Sequence, residues 1–508
     1  MTVSIVDFLR SPAAYGLPED TAIAVIETHG AWVFLAGEMA YKLKKPVAFP
    51  YMNYSTVERR AAMCAREVLL NRLTAPEIYE AAVPVTRGNK GDLALNGQGA
   101  IVDWLVVMHR FRSEDILDAV AERGELTPAM TMAVADAVLA FHAKAQVHSS
   151  INWFQVVLDT IAGNDGQFEN YTDILPRKDT LELTAACRAE AEKHADLLRR
   201  RAAMGAVRQC HGDIHLRNIC WWKGKPLLFD CIEFNDAFAQ IDVLYDTAFL
   251  LMDLQARGLG EHAALAQDRY VAELDDVAGL AVLPLYLTLR AAIRAHVSVS
   301  IGRGIGGEGG DVFYAEARRY LALAQQYMQP VAPRLVAIGG LSGSGKSTLA
   351  KHLAGKIAPL PGAVVLRTDI LRKQLAGKLE TDRLEAEYYN HAFTHKVYTA
   401  LRERAEAILL SGRSVILDCV AADAAERAAF AITARTAHAQ FIGLWCEVDD
   451  ATARQRLQER TAHGRDASDA DVSVRAMQEK FDCGDIAWAR VNTGEESAVH
   501  AAIMTALM

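Results

Sequence analysis

A chain of 508 residues is longer than a single hydrophobic core usually serves, so two or three domains are expected. With 51% hydrophobic and 23% charged residues and a formal net charge of −9, the composition excludes a largely disordered chain and argues against a protein whose main work is binding polyanions. The eight cysteines, at 64, 187, 210, 220, 231, 419, 446 and 483, form no CxxC pair and no His/Cys cluster of zinc spacing, so they read as reduced thiols. No basic leader with an apolar core opens the chain and no uninterrupted apolar run of about 18 residues occurs in it, so a cytoplasmic protein without a membrane partner is expected.

Residues 1–20 suggest a short amphipathic helix and a Pro/Gly loop. From Thr21 the pattern changes to strands, AIAVIETHG, AWVFLAG and MAYKLKKPV, punctuated by Gly, Glu and Pro. On the third strand, period two puts Lys42 and Lys44 on one face. One of them is expected to reach the α/β-phosphates of a nucleotide, as the strand lysine of protein kinases does. Lys42 is preferred, Lys44 stays open, and a solvated edge is the competing account. The next helix, STVERRAAMCAREVLLNRL, offers Glu58 and Glu67 as ion-pair partners, with Glu67 favoured as the more central. No GxGxxG precedes the lysines, only Gly30 and Gly37. AIVDWLVVMHRF, residues 100–111, reads as a buried strand entering a hinge, with Met108 and His109 near an adenine-pairing edge. Helix signals then dominate, TMAVADAVLAFHAKA among them.

The densest chemistry lies in HGDIHLRNICWWKGKPLLFDCIEFN, residues 211–235. Asp213 is placed to take the proton of an attacking hydroxyl, Asn218 to offer an amide oxygen to a divalent ion, and Asp230, delivered by the apolar run KPLLF, to hold that ion. The spacing matches the kinase pattern HRDxxxxN followed by DFG, with HGD and DCIE in their places. At His211, Gly212, Asp213, His215 and Asn218 the segment resembles the aminoglycoside phosphotransferase family. That resemblance implies a protein-kinase-like bilobal domain over 21–330, N-lobe 21–111 and helical C-lobe 112–330, using ATP and Mg²⁺. His211 and His215 are expected only to pack the loop. Beyond Asp230, Glu233 is a substrate-side candidate, and the resemblance makes Asp242 and Asp246 orienting groups behind the loop. Arg290 and Arg294, at i and i+4, are candidates for an anionic part of the acceptor. The glycine cluster at 302–310 reads as a loop.

A further domain is expected over 333–508. RLVAIGGLSGSGKSTLAKHL is strand, glycine-rich turn and helix start, and residues 340–347 fit GxxxxGK[ST]. Gly340, Gly343 and Gly345, with Ser342 and Ser344 between them, let backbone N–H groups converge on phosphate. Lys346 spans the β- and γ-phosphates, Ser347 gives its hydroxyl to magnesium, and Thr348 continues the helix N-terminus. The half resembles P-loop small-molecule kinases, the gluconate kinase, chloramphenicol phosphotransferase and polynucleotide kinase group. Asp369, at a strand's carboxyl end, is the candidate base or acceptor-orienting group, with Arg372 on the substrate. Asp418, ending another strand, is a Walker-B-like metal candidate. The segment carrying Arg456, Arg460 and Arg465 resembles the lid of these kinases, with Arg460 on the transferring phosphate and Arg456 and Arg465 on the nucleotide. No basic stripe with interleaved aromatics suggests nucleic acid.

The expectation is an α/β and α+β chain of two domains, each transferring phosphate from Mg-ATP to a small-molecule hydroxyl such as a sugar, amino sugar or similar polyol. One alternative makes one domain catalytic and the other a regulatory nucleotide- or ligand-binding module. Another makes the second half a P-loop ATPase or polynucleotide-type kinase.

Overall fold

The computed structural model describes residues 4–49, 51–274, 277–380, 382–463 and 468–507. Its contacts divide the chain into two units, one formed by residues 1–156 with 199–250, the other by 157–198 with 251–508. This division differs from a boundary near residue 333, because helices preceding that point are built into the second unit.

In the first unit, β1 (Ala24–Glu27), β2 (Ala31–Ala36), β3 (Met39–Lys44), β4 (Tyr79–Arg87), β5 (Leu93–Leu95) and β6 (Ala100–His109) form an antiparallel sheet in the order β1-β2-β3-β6-β4-β5. Strand alternation sends Val106 and Met108 to one face, where Cys64 and Val68 of α1 (Val57–Asn71) meet them, and Leu105 to the other, against Leu9 and Phe34. Thr56 caps α1 by accepting the Arg59 N–H, and Arg60 anchors the helix to β6 through a two-pronged pair with Asp103 at 2.7 and 2.9 Å. The helical α2 (Pro128–Lys144) opens with Pro at its first position and a Thr127 cap. A hairpin of β7 (Ile219–Trp222) and β8 (Lys225–Leu228) follows, paired Ile219 to Leu228, so that residues 218 and 229 close its open end.

α3 (Val243–Ala256) leads from the first unit into α4 (Gly260–Ala272), α5 (Leu283–Ile305) and α6 (Gly307–Tyr327). The segment Val277–Ile305 is long and apolar enough to cross a membrane by length and composition, a feature missed when only uninterrupted apolar runs are sought; 72% of its apolar window is buried, as in a core helix. The glycine cluster at 302–310 is not a loop. It ends α5 and begins α6 around a single break at Gly306, φ +73°, and a Cβ on Gly302 would meet the Gly310 carbonyl at 2.9 Å, so glycine is what allows the two helices to approach.

The second unit also contains a five-stranded parallel sheet, β9 (Arg334–Gly339), β10 (Val364–Arg367), β11 (Val415–Asp418), β12 (Gln440–Glu447) and β13 (Ala489–Asn492), in the order β10-β11-β9-β12-β13. Helix α4 belongs to this sheet's core. Ala264 is buried with Leu349, Leu353 and Ile416, and the backbones at Gly260 and Gly355 approach so closely that a Cβ on Gly355 would meet the Gly260 carbonyl at 2.7 Å. Gln267 Nε2 donates to Gly362 O at 3.2 Å, and the buried Arg413 closes the same loop through Leu360 O and Pro359 O. On the edge strand β10, the Val365 N–H donates to Asp268 Oδ1 at 2.9 Å.

Burial pushes the Asp268 carboxyl well above the usual carboxylate range, and the one backbone hydrogen bond only partly offsets it. The folded chain therefore holds a proton there that the unfolded chain releases near pH 4. This contribution to stability is present at low pH and is lost as pH rises through the folded value. Asp268→Asn keeps the acceptor for Val365 N–H without the charge. Thermal unfolding followed from pH 5 to 8 should fall less steeply for the variant, which should be the more stable at pH 8; parallel curves would contradict the argument.

Candidate active sites

In the first unit, period two on β3 brings two lysines to one carboxylate. Lys42 Nζ lies 2.8 Å from Glu67 Oε1 and 2.7 Å from Asp230 Oδ1, while Lys44 Nζ lies 2.5 Å from Glu67 Oε2 and 2.5 Å from Glu233 Oε1. Tyr54 completes the group, donating to Glu233 at 2.6 Å under its cation–π contact with Lys44. Burial alone would lower both ammonium groups; for Lys42 the charges of Asp230 and Glu67 overcome it, for Lys44 those of Glu233 and Glu67, and both are held above their ordinary values. Burial likewise opposes ionisation of Glu67, and the two lysines bring it below the usual carboxylate range. Glu233, expected near substrate, is thus a buried member of this ion-pair group.

Asp230 sits at φ +61°, strained for a residue other than glycine, and its N–H donates to the Tyr79 hydroxyl at 3.1 Å. Next to it, Asn71 of α1 accepts the Cys231 N–H at 2.9 Å and donates to Glu67 O. Asn71 and Tyr79 carry no signal in the sequence that would mark them. Across the hairpin base, Phe229 N–H donates to Asn218 O, and Asn218 Nδ2 donates to Asp213 Oδ2 at 2.8 Å. His215 Nε2 is 3.3 Å from the same oxygen. Asp213 and Asp230 remain 35% and 46% exposed, so both carboxylates open to solvent, unlike Glu67.

Asp246 holds the 211–218 loop by accepting the N–H groups of His211 and Gly212 at 3.0 and 2.9 Å, and His142 Nε2 lies 3.1 Å from it. The His142–Cys210–Asp246 group has metal-like proximity, but its carboxylate is already engaged by these donors. His211 bonds to Phe229 O at 3.0 Å, and burial lowers its imidazole below the ordinary value, so it packs the loop as a neutral ring. Asp242 is taken up by Arg201. Met108 does not lie at a free edge: it is inside the ladder, flanked by Ala40 and Tyr79, and His109 and Arg110 still donate to Ile78 O and Glu38 O. Arg290 and Arg294 lie on α5 in the second unit, Arg290 buried and Arg294 over the Tyr320 ring.

In the second unit the P-loop follows β9 and runs into α7 (Lys346–Ala354). Gly340, at φ +135°, could carry no side chain: a Cβ would meet Cys446 O at 2.4 Å. Gly343 and Gly345 are also left-handed. Ser342 and Ser344 are buried within the loop, and Lys346 Nζ donates to Leu341 O at 3.0 Å, with Ser347 and Thr348 in the first turn of α7. Asp418 ends β11, 3.4 Å from Arg367 Nε. Asp369 falls in the first turn of α8 (Thr368–Leu375), where Arg367 occupies the cap position. Arg372, buried, donates to Tyr388 O at 2.6 Å and lies over the Tyr389 ring, and burial lowers its guanidinium. On α9 (Asp450–His463), Arg456 donates to Thr493 Oγ1 at 2.9 Å and Arg460 to Ala470 O. Arg465 lies outside the described residues.

A family described as AAA domain matches residues 335–482. An uncharacterized protein of Mycobacterium tuberculosis is 29% identical over 482 residues, 93% of each chain, as is one of Mycobacterium bovis. Among solved structures, a gluconokinase from Sinorhizobium meliloti is 19% identical, covering 35% of this chain and 92% of its own, at TM-score 0.24. A choline/ethanolamine kinase family protein from Mesorhizobium loti is 12% identical over 63% of this chain and 99% of its own, at TM-score 0.35.

The two lysines should separate in experiment. Lys44→Met leaves Glu67 and Glu233 buried without that ammonium and is expected to reduce stability by about 3–5 kcal/mol in denaturant unfolding. Lys42→Met, nearer solvent, should reduce stability less and mainly weaken nucleotide binding; equal unfolding midpoints would refute the distinction.

Proposed function

We propose that the chain is an ATP-dependent kinase with two transfer sites, each passing the γ-phosphoryl group of ATP to a hydroxyl of a small molecule. What carries this reading is the first unit's arrangement of two solvent-facing carboxylates, Asp213 and Asp230, with Lys42 joined to Asp230 and Glu67. Asp213 takes the hydroxyl proton as the acceptor oxygen bonds to phosphorus and the bond to ADP breaks. Asn218 holds Asp213 through its amide nitrogen, and its amide oxygen and the Asp230 carboxylate are the donors that would hold a hard cation. These oxygen donors fit Mg²⁺, which when bound neutralises charge on the phosphates. Lys42 orients the phosphates, and Asp246 keeps the loop peptides in place.

In the second unit the backbone of residues 340–347 cradles the triphosphate, Lys346 and the α7 N-terminus meet its charge, and Ser347 with Asp418 suits a magnesium shell. Asp369 orients or deprotonates the acceptor, beside Arg372. A sugar, amino sugar or similar polyol is the acceptor class proposed for both sites, in a protein of the cytoplasm that binds neither nucleic acid nor membrane.

The test is ADP release by the full chain against a panel of sugars, amino sugars and polyols. Asp213→Ala should remove one acceptor-dependent activity by about 10²–10⁴-fold and leave the other. Lys346→Ala should do the reverse. Loss of every activity in one variant and none in the other would reduce the protein to a single catalytic site.

A further inference from the structure

The P-loop is gripped from outside by a helix that follows the arginine-bearing segment. Helix α10 (Val472–Gln478) points two buried side chains, Arg475 and Gln478, each 7% exposed, at the backbone of a single residue of the loop. Gln478 Oε1 accepts the Ser342 N–H at 2.8 Å, and Arg475 Nη1 donates to Ser342 O at 2.8 Å. Spaced i and i+3, they lie on one face of the helix and hold both polar groups of that residue. Arg475 is fixed in turn by Asp450 at the start of α9 and by Glu479, each 3.1 Å from its Nε. At the other end of the loop, Thr493 donates to Ser344 O at 2.8 Å while accepting from Arg456 of α9.

The loop's glycines pack closely on other segments: a Cβ would meet Cys446 O at Gly340, Ala453 O at Gly343 and Thr493 Oγ1 at Gly345. A cavity of about 540 Å³ lies on the α10 side, lined by Leu341 and Ser344 of the loop, by Arg475 and Gln478, and by Trp445 and Glu447. Lys346, Ser347 and Asp418 do not line it. Glycine gives a loop many accessible conformations, so contacts from flanking segments decide which one it keeps. Holding its N–H groups in convergence before phosphate arrives removes an entropic penalty from binding.

We infer that Arg475 and Gln478 are positioning residues for the P-loop site: they fix the two peptides that flank Ser342 in the phosphate-binding form and tie that form to the base of α9, the helix carrying Arg456 and Arg460. The inference rests on the reading of residues 340–347 as an ATP site. It adds two residues from outside the motif, and it makes nucleotide affinity depend on the Asp450–Arg475 pair.

The measurement is ADP binding with Mg²⁺ by calorimetry on the full chain, the portion lost in Lys346→Ala defining the P-loop site. Gln478→Met keeps the volume and removes the acceptor; it should weaken that binding roughly fivefold to tenfold and raise the KM for ATP, with the KM for the acceptor unchanged. Arg475→Lys should act in the same direction, because an ammonium cannot hold Ser342 O, Asp450 and Glu479 in one plane. If Arg475→Lys fails to fold, Gln478→Met decides alone. Gln478→Met binding within about twofold of the parent chain, even with a lowered melting temperature, would reduce the clasp to a structural contact and overturn the inference. Absence of any Lys346-dependent binding in the parent would instead overturn the reading of the P-loop itself.

Discussion

The first unit depends on one carboxylate that has left water. Glu67 is fully buried and is anionic because two ammonium groups meet its two oxygens from different directions. Lys44 pins it from inside, shared with Glu233 and Tyr54, so Lys42 can contact Glu67 and still reach the solvent-exposed Asp230. Removing a charge from such a group leaves the others desolvated and unmatched, which makes the position of α1, the orientation of Lys42 and the placement of Asp230 a single condition rather than three. Asn71 carries the same condition through the backbone, from Glu67 O to the Cys231 N–H.

The P-loop reaches a comparable end by different means. The groups proposed to face phosphate there are peptide N–H donors, whose direction is set by backbone angles, and glycine makes those angles accessible without making them preferred. Charge fixes the first site and hydrogen bonds from flanking side chains fix the second. Gly340 is crowded against Cys446 O and admits no side chain, whereas Ser342 is held through its N–H and its carbonyl by residues more than 130 positions away.

Much of this was legible in the sequence where chemistry and spacing coincide. The period-two pair Lys42 and Lys44, the ladder from Asp213 to Asn218 to Asp230, and the strand, turn and helix around residues 340–347 are local patterns, and local geometry follows from them. The rest is set by contacts between distant segments, which no local pattern carries. Glu233 looked like a cleft residue because it lies three positions after Asp230, and nothing local says that Lys44 draws it inward. Met108 looked like a hinge because its strand ends nearby, but strand pairing on both sides continues past it. The glycines at 302–310 suggested a loop by composition, whereas two of them serve helix contact.

The boundary between the halves shows the same limit in its sharpest form. A strand at the edge of a parallel sheet exposes unpaired N–H groups and an apolar flank, and some element has to cover both. In the second unit that element is α4: Ala264 enters the apolar core and Asp268 accepts from Val365 on β10. The helix precedes the P-loop by about 70 residues and lies on the far side of the composition change that suggests a domain start near Pro333. Composition marks where the chain changes character. The unit is defined instead by which surfaces are left uncovered when a segment is removed, and by that measure the P-loop sheet begins its fold at α4.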